Sequence, residues 1–195
     1  MLNLCIKIES RIMLIEEFSR APPSIVEEFA EGKFDVRPLE DRYYTKKYNC
    51  DSDGGDYTFL VHSNKLCVIK LARTHPILVR NLTIKSVTFQ VSDTLNRLDN
   101  RVSGKGKRGA QLLTSTSTLC LIYCEEQSEP YVVKTCMTAK LLEVNDTLVS
   151  KPELLKADNL NYIAIVSPRM SDHEIQLENL LTEEQYLENL STRPT

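Results

Sequence analysis

The chain has 195 residues, enough for one domain of about 100–200 residues with a tail. Lys and Arg number 24 and Asp and Glu number 27, so the net charge of -3 argues against a protein that coats nucleic acid or an anionic membrane with its whole surface. Hydrophobic residues make up 42% and charged residues 26%, as in a typical globular chain, and no apolar run approaches the roughly 20 residues of a membrane span.

The first forty residues are predicted to form a partly helical N-terminal arm. Ser24 and Glu27 form a capping box, which predicts a short helix ending at Gly32. Charged residues, several of them acidic, flank the short apolar stretch at 12–15, so neither a secretory signal nor a mitochondrial transit peptide is expected. We therefore expect a protein of the cytosol or the nucleus, neither secreted nor mitochondrial.

The cysteines favour the same compartment. They lack a Cys-x-x-Cys motif and His partners at zinc-ligand spacing, so we predict free thiols in a reducing environment and no metal site. The six are Cys5, Cys50, Cys67, Cys120, Cys124 and Cys136.

From Tyr57 onward the pattern is strand-like. Residues 57–62 and 65–71 predict two strands joined by a tight turn at Ser63-Asn64. Strands at this spacing, with turn residues between them, are typical of a small β-sandwich or barrel. Four further strands are predicted at 84–91, 112–124, 131–144 and 162–166.

Two helical elements follow the strands. Pro152 predicts a short helical turn, and the Thr182–Gln185 capping box predicts a final helix with Tyr186, Leu187 and Leu190 on its apolar face. The predicted fold class is therefore mainly β with helices, an α+β class. The predicted organisation is an arm at 1–40, a β-rich domain at 41–190 and a tail at 191–195.

The segment from Gly104 to Gly109 spells G-x-G-x-x-G, the pattern of a dinucleotide-binding loop. That loop must follow a strand and open a helix, whose N-terminal N–H groups bind the pyrophosphate. Here a Ser/Thr-rich strand candidate follows instead. We therefore predict a β–β loop and no bound cofactor.

The twelve residues 97–108, which include most of this segment, are rich in positive charge: they contain five Lys or Arg residues and one acidic residue, Asp99. Such a loop is either a solvated surface or a patch that attracts an acidic protein, and nucleic acid is disfavoured because no aromatic residue is present to stack on bases. No catalytic motif occurs elsewhere, so we predict no catalytic residue and no enzyme. The candidate partner-binding residues are Arg97, Arg101, Lys105, Lys107 and Arg108.

Several blocks between residues 41 and 190 resemble the Abitram (Simiate) proteins in sequence and in order. That resemblance implies a non-enzymatic actin-binding protein that modulates actin polymerisation and cell protrusions such as filopodia, located in the nucleus, nuclear speckles and cell projections. The blocks are Asp41-Arg42-Tyr43-Tyr44-Thr45, His62-Ser63-Asn64-Lys65-Leu66-Cys67-Val68-Ile69, Thr83-Ile84-Lys85-Ser86, Val102-Ser103-Gly104-Lys105, Lys107-Arg108-Gly109-Ala110-Gln111, Glu143-Val144-Asn145, Lys151-Pro152 and Leu180-Leu181-Thr182.

The C-terminal half is also similar to the H protein of the glycine cleavage system, around Glu143-Val144-Asn145-Asp146 and Leu181-Thr182-Glu183-Glu184-Gln185-Tyr186. This likeness implies a lipoyl-domain-like barrel-sandwich hybrid with a C-terminal helix. An H protein carries its lipoyl group on a lysine at a hairpin tip, and counting back from Asn145 leads to Ser128. Because the segment 124–131 contains no lysine, we do not expect a lipoyl group.

The leading hypothesis is thus an actin-binding protein whose basic loop contacts actin's acidic surface, with no membrane partner. The alternative is a nuclear scaffold for transcription or RNA-processing proteins. A lipoyl-type carrier is a third reading, disfavoured by the missing lysine.

Overall fold

The computed structural model describes residues 38–50, 55–157 and 161–193. Residues 1–37 of the predicted arm, which include the helix that ends at Gly32 and Cys5, lie outside the described residues. From Leu39 onward the chain forms one compact unit. Its strands are β1 (Tyr44–Asn49), β2 (Tyr57–His62), β3 (Cys67–Leu71), β4 (Ile84–Thr88), β5 (Gln90–Ser92), β6 (Leu95–Asn96), β7 (Leu112–Leu113), β8 (Thr118–Cys124), β9 (Tyr131–Lys134), β10 (Ala139–Val144) and β11 (Tyr162–Pro168).

The helices are short, and most of them lie between strands or after the last strand. No described helix is long and apolar enough to span a membrane. Two 3₁₀ turns occupy Arg97–Asp99 and Pro152–Lys156. The α-helices are α1 (Leu39–Tyr43), α2 (Pro76–Val79), α3 (Thr147–Ser150), α4 (His173–Glu178) and α5 (Glu183–Thr192).

The strands form two main sheets and a ribbon, and every strand pairing is antiparallel. One sheet has the order β1-β2-β3-β11-β10-β7, the second has the order β4-β8-β9, and β5 pairs with β6. The predicted α+β class, mainly β with a few helices, is confirmed. Over the described residues these sheets do not close into a single barrel.

The β2–β3 hairpin forms where the sequence predicts it. Alternation in β3 buries Cys67, Ile69 and Leu71, while the residues between them are half-buried. At the turn, the His62 N–H donates to the Leu66 carbonyl at 2.9 Å, and Lys65 takes a left-handed φ of 66°. The hairpin is local in sequence, so turn chemistry and alternation suffice to specify it.

Three predicted strands are each divided in the structure. The stretch 84–91 breaks at Phe89, so β4 and β5 belong to different sheets. The stretch 112–124 breaks at a polar turn, where the Ser117 hydroxyl accepts a hydrogen bond from the Thr114 N–H at 2.9 Å, so β7 and β8 join different sheets. The stretch 131–144 breaks at Cys136, whose φ is 57°, so β9 and β10 also separate. The prediction of continuous strands there was wrong, because the chain crosses between sheets at each of the three breaks.

The two predicted C-terminal helical elements are present. Pro152 opens a 3₁₀ turn, and the Thr182 side chain accepts from the Gln185 N–H while the Gln185 side chain accepts from the Thr182 N–H, which completes the capping box. The apolar face of α5 is narrower than predicted. Tyr186 is buried and stacks on Tyr48 with centroids 4.4 Å apart, whereas Leu187 is 59% exposed.

Side chains from both main sheets share one hydrophobic core. Phe59 and Leu141 enter it from the larger sheet and Ile122 and Val133 from the smaller one, all fully buried. The core therefore accounts for the burial of these apolar strand residues.

Among the described residues the cysteines are free thiols, as predicted, and burial raises the pKa of the Cys67 thiol to about 12.

A buried carboxylate links the start of β2 to the end of α5. The Asp56 side chain is fully buried, and both of its oxygens accept hydrogen bonds from the Arg193 guanidinium, at 2.8 and 2.9 Å. The Tyr186 hydroxyl donates to Asp56 at 2.9 Å and the Thr74 hydroxyl at 3.2 Å. This Asp56 cluster (Asp56, Thr74, Tyr186 and Arg193) fixes the C-terminal helix to the sheet.

His75 has a structural role at the start of α2. Its ring is buried near Tyr57 and Tyr131, and its Nδ1 accepts from the Ile77 N–H at 3.2 Å, capping α2. Burial lowers the pKa of His75 to about 4, against a smaller opposing effect of Asp56. The imidazole is therefore neutral at physiological pH.

Candidate functional site: the basic hairpin and the edge groove

The glycine-rich segment is a short hairpin, not a nucleotide-binding loop. Ser103 and Arg108 exchange two backbone hydrogen bonds, of 3.0 and 2.9 Å, and the Lys107 N–H closes the turn on the Gly104 carbonyl at 3.0 Å. The chain then continues into β7, and the first described helix after it is α3. Within the described residues 103–113 no helix begins that could receive a pyrophosphate, so the predicted β–β loop is confirmed. We call residues 103–108 the basic hairpin.

A glycine holds the hairpin close to the chain that precedes it. Gly109 has a φ of +78°, and a Cβ on this residue would lie 2.5 Å from the Arg101 carbonyl oxygen. Both the conformation and the space therefore require glycine. The close approach brings the two ends of the loop together and projects residues 103–108 as one unit.

The five predicted basic residues differ in the exposure of their side chains. Arg101, Lys105 and Arg108 are exposed, and Lys107 is half-buried, with its ammonium donating to the Ser167 hydroxyl at 2.5 Å. Arg97 is only 5% exposed. The exposed basic surface therefore excludes Arg97.

Arg97 instead connects the 3₁₀ turn Arg97–Asp99 to Gln111 and to the start of β8 through hydrogen bonds. Its Nε donates to the Thr118 carbonyl at 2.9 Å and its Nη1 to the Gln111 side chain at 2.8 Å, while Gln111 in turn donates to the Asn96 carbonyl at 2.8 Å. Burial lowers the pKa of the guanidinium. These bonds give Arg97 a structural role that its position in a basic stretch did not reveal.

We expect the Arg97→Ala variant to lose about 2 kcal/mol of unfolding free energy, because two charge-assisted hydrogen bonds vanish and their buried acceptors lose a partner. The matched variant Arg101→Ala removes an exposed cation from the same stretch and should change stability by less than about 0.5 kcal/mol. Urea unfolding of both variants measures the difference. Equal stability of the two would contradict the structural role of Arg97.

Strand register places further cations beside the basic hairpin. In the paired strands β7, β10 and β11, Leu112 lies opposite Lys140 and Lys140 lies opposite Ser167, so these three residues share one face of the sheet. The Lys140 ammonium donates to the Gly106 carbonyl at 3.0 Å, and Lys107 reaches Ser167. The two lysines therefore hold the basic hairpin over this face at the β7 edge.

A groove of about 430 Å³, here called the edge groove, opens between the basic hairpin and the sheet edge. Leu112 and Met170 line it and are 70% and 67% exposed. Among the described residues, no carboxylate lines the groove. Four cations do: Lys105, Lys107, Lys140 and Arg169.

Sequence reasoning found two of these cations and missed the other two. Lys140 and Arg169 lie far along the chain from the glycine-rich segment, and only the pairing of β10 with β7 and β11 brings them to it. The short β7 carries too little alternation for that pairing to be inferred from sequence.

Comparison with known proteins assigns the family. No protein-family model matches the chain. It is 44% identical over 163 residues to Protein Abitram of Homo sapiens, covering 81% of this chain and 90% of that protein. It is 37% identical over 161 residues to Protein Abitram of Drosophila melanogaster (82% and 73%), and 33% over 159 residues to that of Dictyostelium discoideum (77% and 87%). The chain belongs to the Abitram family.

The family named from short sequence blocks is thereby confirmed, while the further likeness to the glycine cleavage H protein stays a prediction. In this Abitram-family chain the segment 124–131 connects the antiparallel strands β8 and β9, so Ser128 does lie on a hairpin loop. The Glu126 carboxylate accepts the Thr83 N–H at 2.8 and 3.1 Å, which lowers its pKa and fastens the loop. Ser128 is exposed but offers no amine for an amide-linked lipoyl group.

Proposed function

We propose that this Abitram-family protein is a non-enzymatic actin-binding protein that modulates actin polymerisation and, through it, the dynamics of protrusions such as filopodia. It acts in the nucleus, including nuclear speckles, and in the cytoplasm, including cell projections. Family membership is the basis of this proposal. No catalytic residue or cofactor enters it.

Three exposed cations on or beside the basic hairpin connect the proposal to particular residues. Arg101, Lys105 and Arg108 project from a protein whose net charge is -3. A local positive patch on an acidic protein orients its encounter with an acidic surface such as actin's. Such exposed charges act mainly on the association rate and its dependence on salt.

A fluorescence-monitored actin assembly curve tests the proposal. The wild type should alter assembly, and its effect should shrink between about 50 and 150 mM salt as screening increases. The triple variant Arg101→Ala, Lys105→Ala, Arg108→Ala should have a much weaker effect. Lys107 is kept in this variant because it anchors the hairpin to Ser167.

A matched control removes three exposed cations elsewhere, by Arg73→Ala, Arg80→Ala and Lys151→Ala. It has the same net charge as the hairpin variant and should behave as the wild type. If the hairpin variant and the wild type act equally, actin binding stands and the hairpin is not its site. If the wild type leaves assembly unchanged at every salt concentration, the actin proposal fails.

A nuclear scaffold for transcription or RNA-processing proteins is the alternative function, since the exposed cations would suit any acidic protein partner. It predicts unchanged actin assembly. If the protein were a lipoyl-type carrier, its intact mass would increase after expression with lipoate. We expect no such increase, because the loop at Ser128 contains no lysine.

At the level of fold, we infer a lipoyl-domain-like barrel-sandwich hybrid. Two antiparallel sheets around one core, with the β8–β9 hairpin at the place expected for an H protein, support this inference. Superposition of an experimental structure on an H protein tests it. Strand orders that cannot be superposed would refute it.

A further inference from the structure

We propose that the edge groove binds an extended acidic peptide segment of a partner protein, one that carries bulky apolar side chains among its Asp and Glu residues. This site goes beyond the exposed hairpin cations proposed for actin. It is formed chiefly by β7, the start of β10 and the end of β11.

The charge of the groove indicates the sign of its ligand. Of the residues that the structure describes, four cations and no carboxylate line it, in a protein with an overall excess of acidic residues. Lys107 and Lys140 are held in place by their bonds to Ser167 and to the Gly106 carbonyl. Because each ammonium has three donors, both retain donors for a carboxylate. The cations are thus positioned in advance of binding, which reduces its entropic cost.

The floor of the groove indicates that charge alone does not define the ligand. Leu112 and Met170 present large exposed apolar side chains, and methionine adapts its shape to different apolar partners. A groove of about 430 Å³ is of the size that receives side chains rather than a flat surface. A nucleic acid is disfavoured because, in the part of the chain that the structure describes, no aromatic residue lines the groove to stack on a base.

The position at a sheet edge favours an extended ligand. β7 is an outermost strand of the six-stranded sheet, so among the described strands none pairs with its outer side. Sheet edges commonly accept extended segments of other chains. Together the charge, the apolar floor and the edge define an extended acidic-apolar peptide as the occupant.

Fluorescence anisotropy with a defined probe tests this proposal. The probe is a labelled peptide of roughly ten residues, with Leu-Phe at its centre and Asp and Glu on both sides; a second peptide has Ser-Ser at the centre. The groove variant combines Arg169→Glu with Met170→Ser. The matched control combines Arg80→Glu with Val79→Ser, because Val79 is 67% exposed, like Met170, and lies on α2 away from the groove.

The wild type and the control should bind the Leu-Phe peptide alike, and the groove variant at least about tenfold more weakly. The Ser-Ser peptide should bind the wild type several-fold more weakly. Equal binding of the two peptides, equal loss in the control, or absence of binding to the wild type would each overturn the proposal. The groove variant retains Arg101, Lys105 and Arg108, so failure here is distinguishable from failure of the actin proposal.

Discussion

Replacing Arg193 with alanine is expected to lower the free energy of unfolding by about 3 kcal/mol at neutral pH, because the substitution removes a guanidinium that is paired with a fully buried carboxylate. Both oxygens of Asp56 accept from this guanidinium, at 2.8 and 2.9 Å. The pairing raises the pKa of Arg193. The Tyr186 and Thr74 hydroxyls stay bonded to Asp56 but carry no charge to balance it.

Urea unfolding measures the effect, and Glu184→Ala, at an exposed residue of the same helix, serves as the control with an expected change below about 0.5 kcal/mol. Removing both partners, by Asp56→Asn with Arg193→Ala, should cost less than the sum of the two single changes, because the uncompensated charge is absent. Additive costs, or a neutral Arg193→Ala variant, would contradict the role assigned to the Asp56 cluster.

The stability of the protein should fall as the pH is lowered from 6.5 towards 4, and His75 is expected to account for a loss of the order of 3 kcal/mol across that interval. Burial lowers the pKa of His75 from 6.5 to about 4. Between these values the unfolded chain binds a proton that the folded chain excludes, so acid favours unfolding. Above pH 6.5 the histidine is neutral in both states and its contribution is constant.

The His75→Asn variant isolates this effect, since an asparagine at this position can still accept the Ile77 N–H as a helix cap but does not titrate. Free energies of unfolding measured from pH 8 to 4.5 should converge for the two proteins as the pH falls, relative to their difference at pH 8. Carboxylates titrate in both proteins and cancel in that difference. Parallel curves would show that burial of His75 does not couple to protonation.

Local patterns in the sequence predicted local structure well. The β2–β3 hairpin and the Thr182–Gln185 capping box depend on residues a few positions apart, and both are present as predicted. The breaks within 112–124 and 131–144 were missed because each marks a crossing between sheets. A strand pattern does not reveal which sheet its two halves join.

The residues of the hairpin surface and the edge groove likewise could not all be predicted from local sequence. Arg97 belongs by sequence to the basic stretch, yet its side chain is buried and donates hydrogen bonds to Thr118 and Gln111. Lys140 and Arg169 belong to no basic stretch, yet strand register brings them to the edge groove. Charge clustering along the chain therefore predicted the hairpin cations, whereas burial and register, which depend on the whole fold, decided the rest.

Family membership gives the proposed function its basis, and the structure adds the surfaces through which such a function would operate. The exposed hairpin cations suit an acidic surface, and the edge groove suits an acidic segment with apolar side chains. The two sites adjoin at Lys105, so a partner with both features would engage them together.

Direct binding to actin tests the central claim most directly. Monomeric actin and actin filaments are each titrated with the wild type, the Arg101→Ala, Lys105→Ala, Arg108→Ala variant and the matched control, at about 50 and 150 mM salt. We predict that the wild type and the control bind at least one form of actin, more weakly at the higher salt concentration, and that the hairpin variant binds about fivefold to tenfold more weakly. Absence of wild-type binding to both forms of actin would contradict the account.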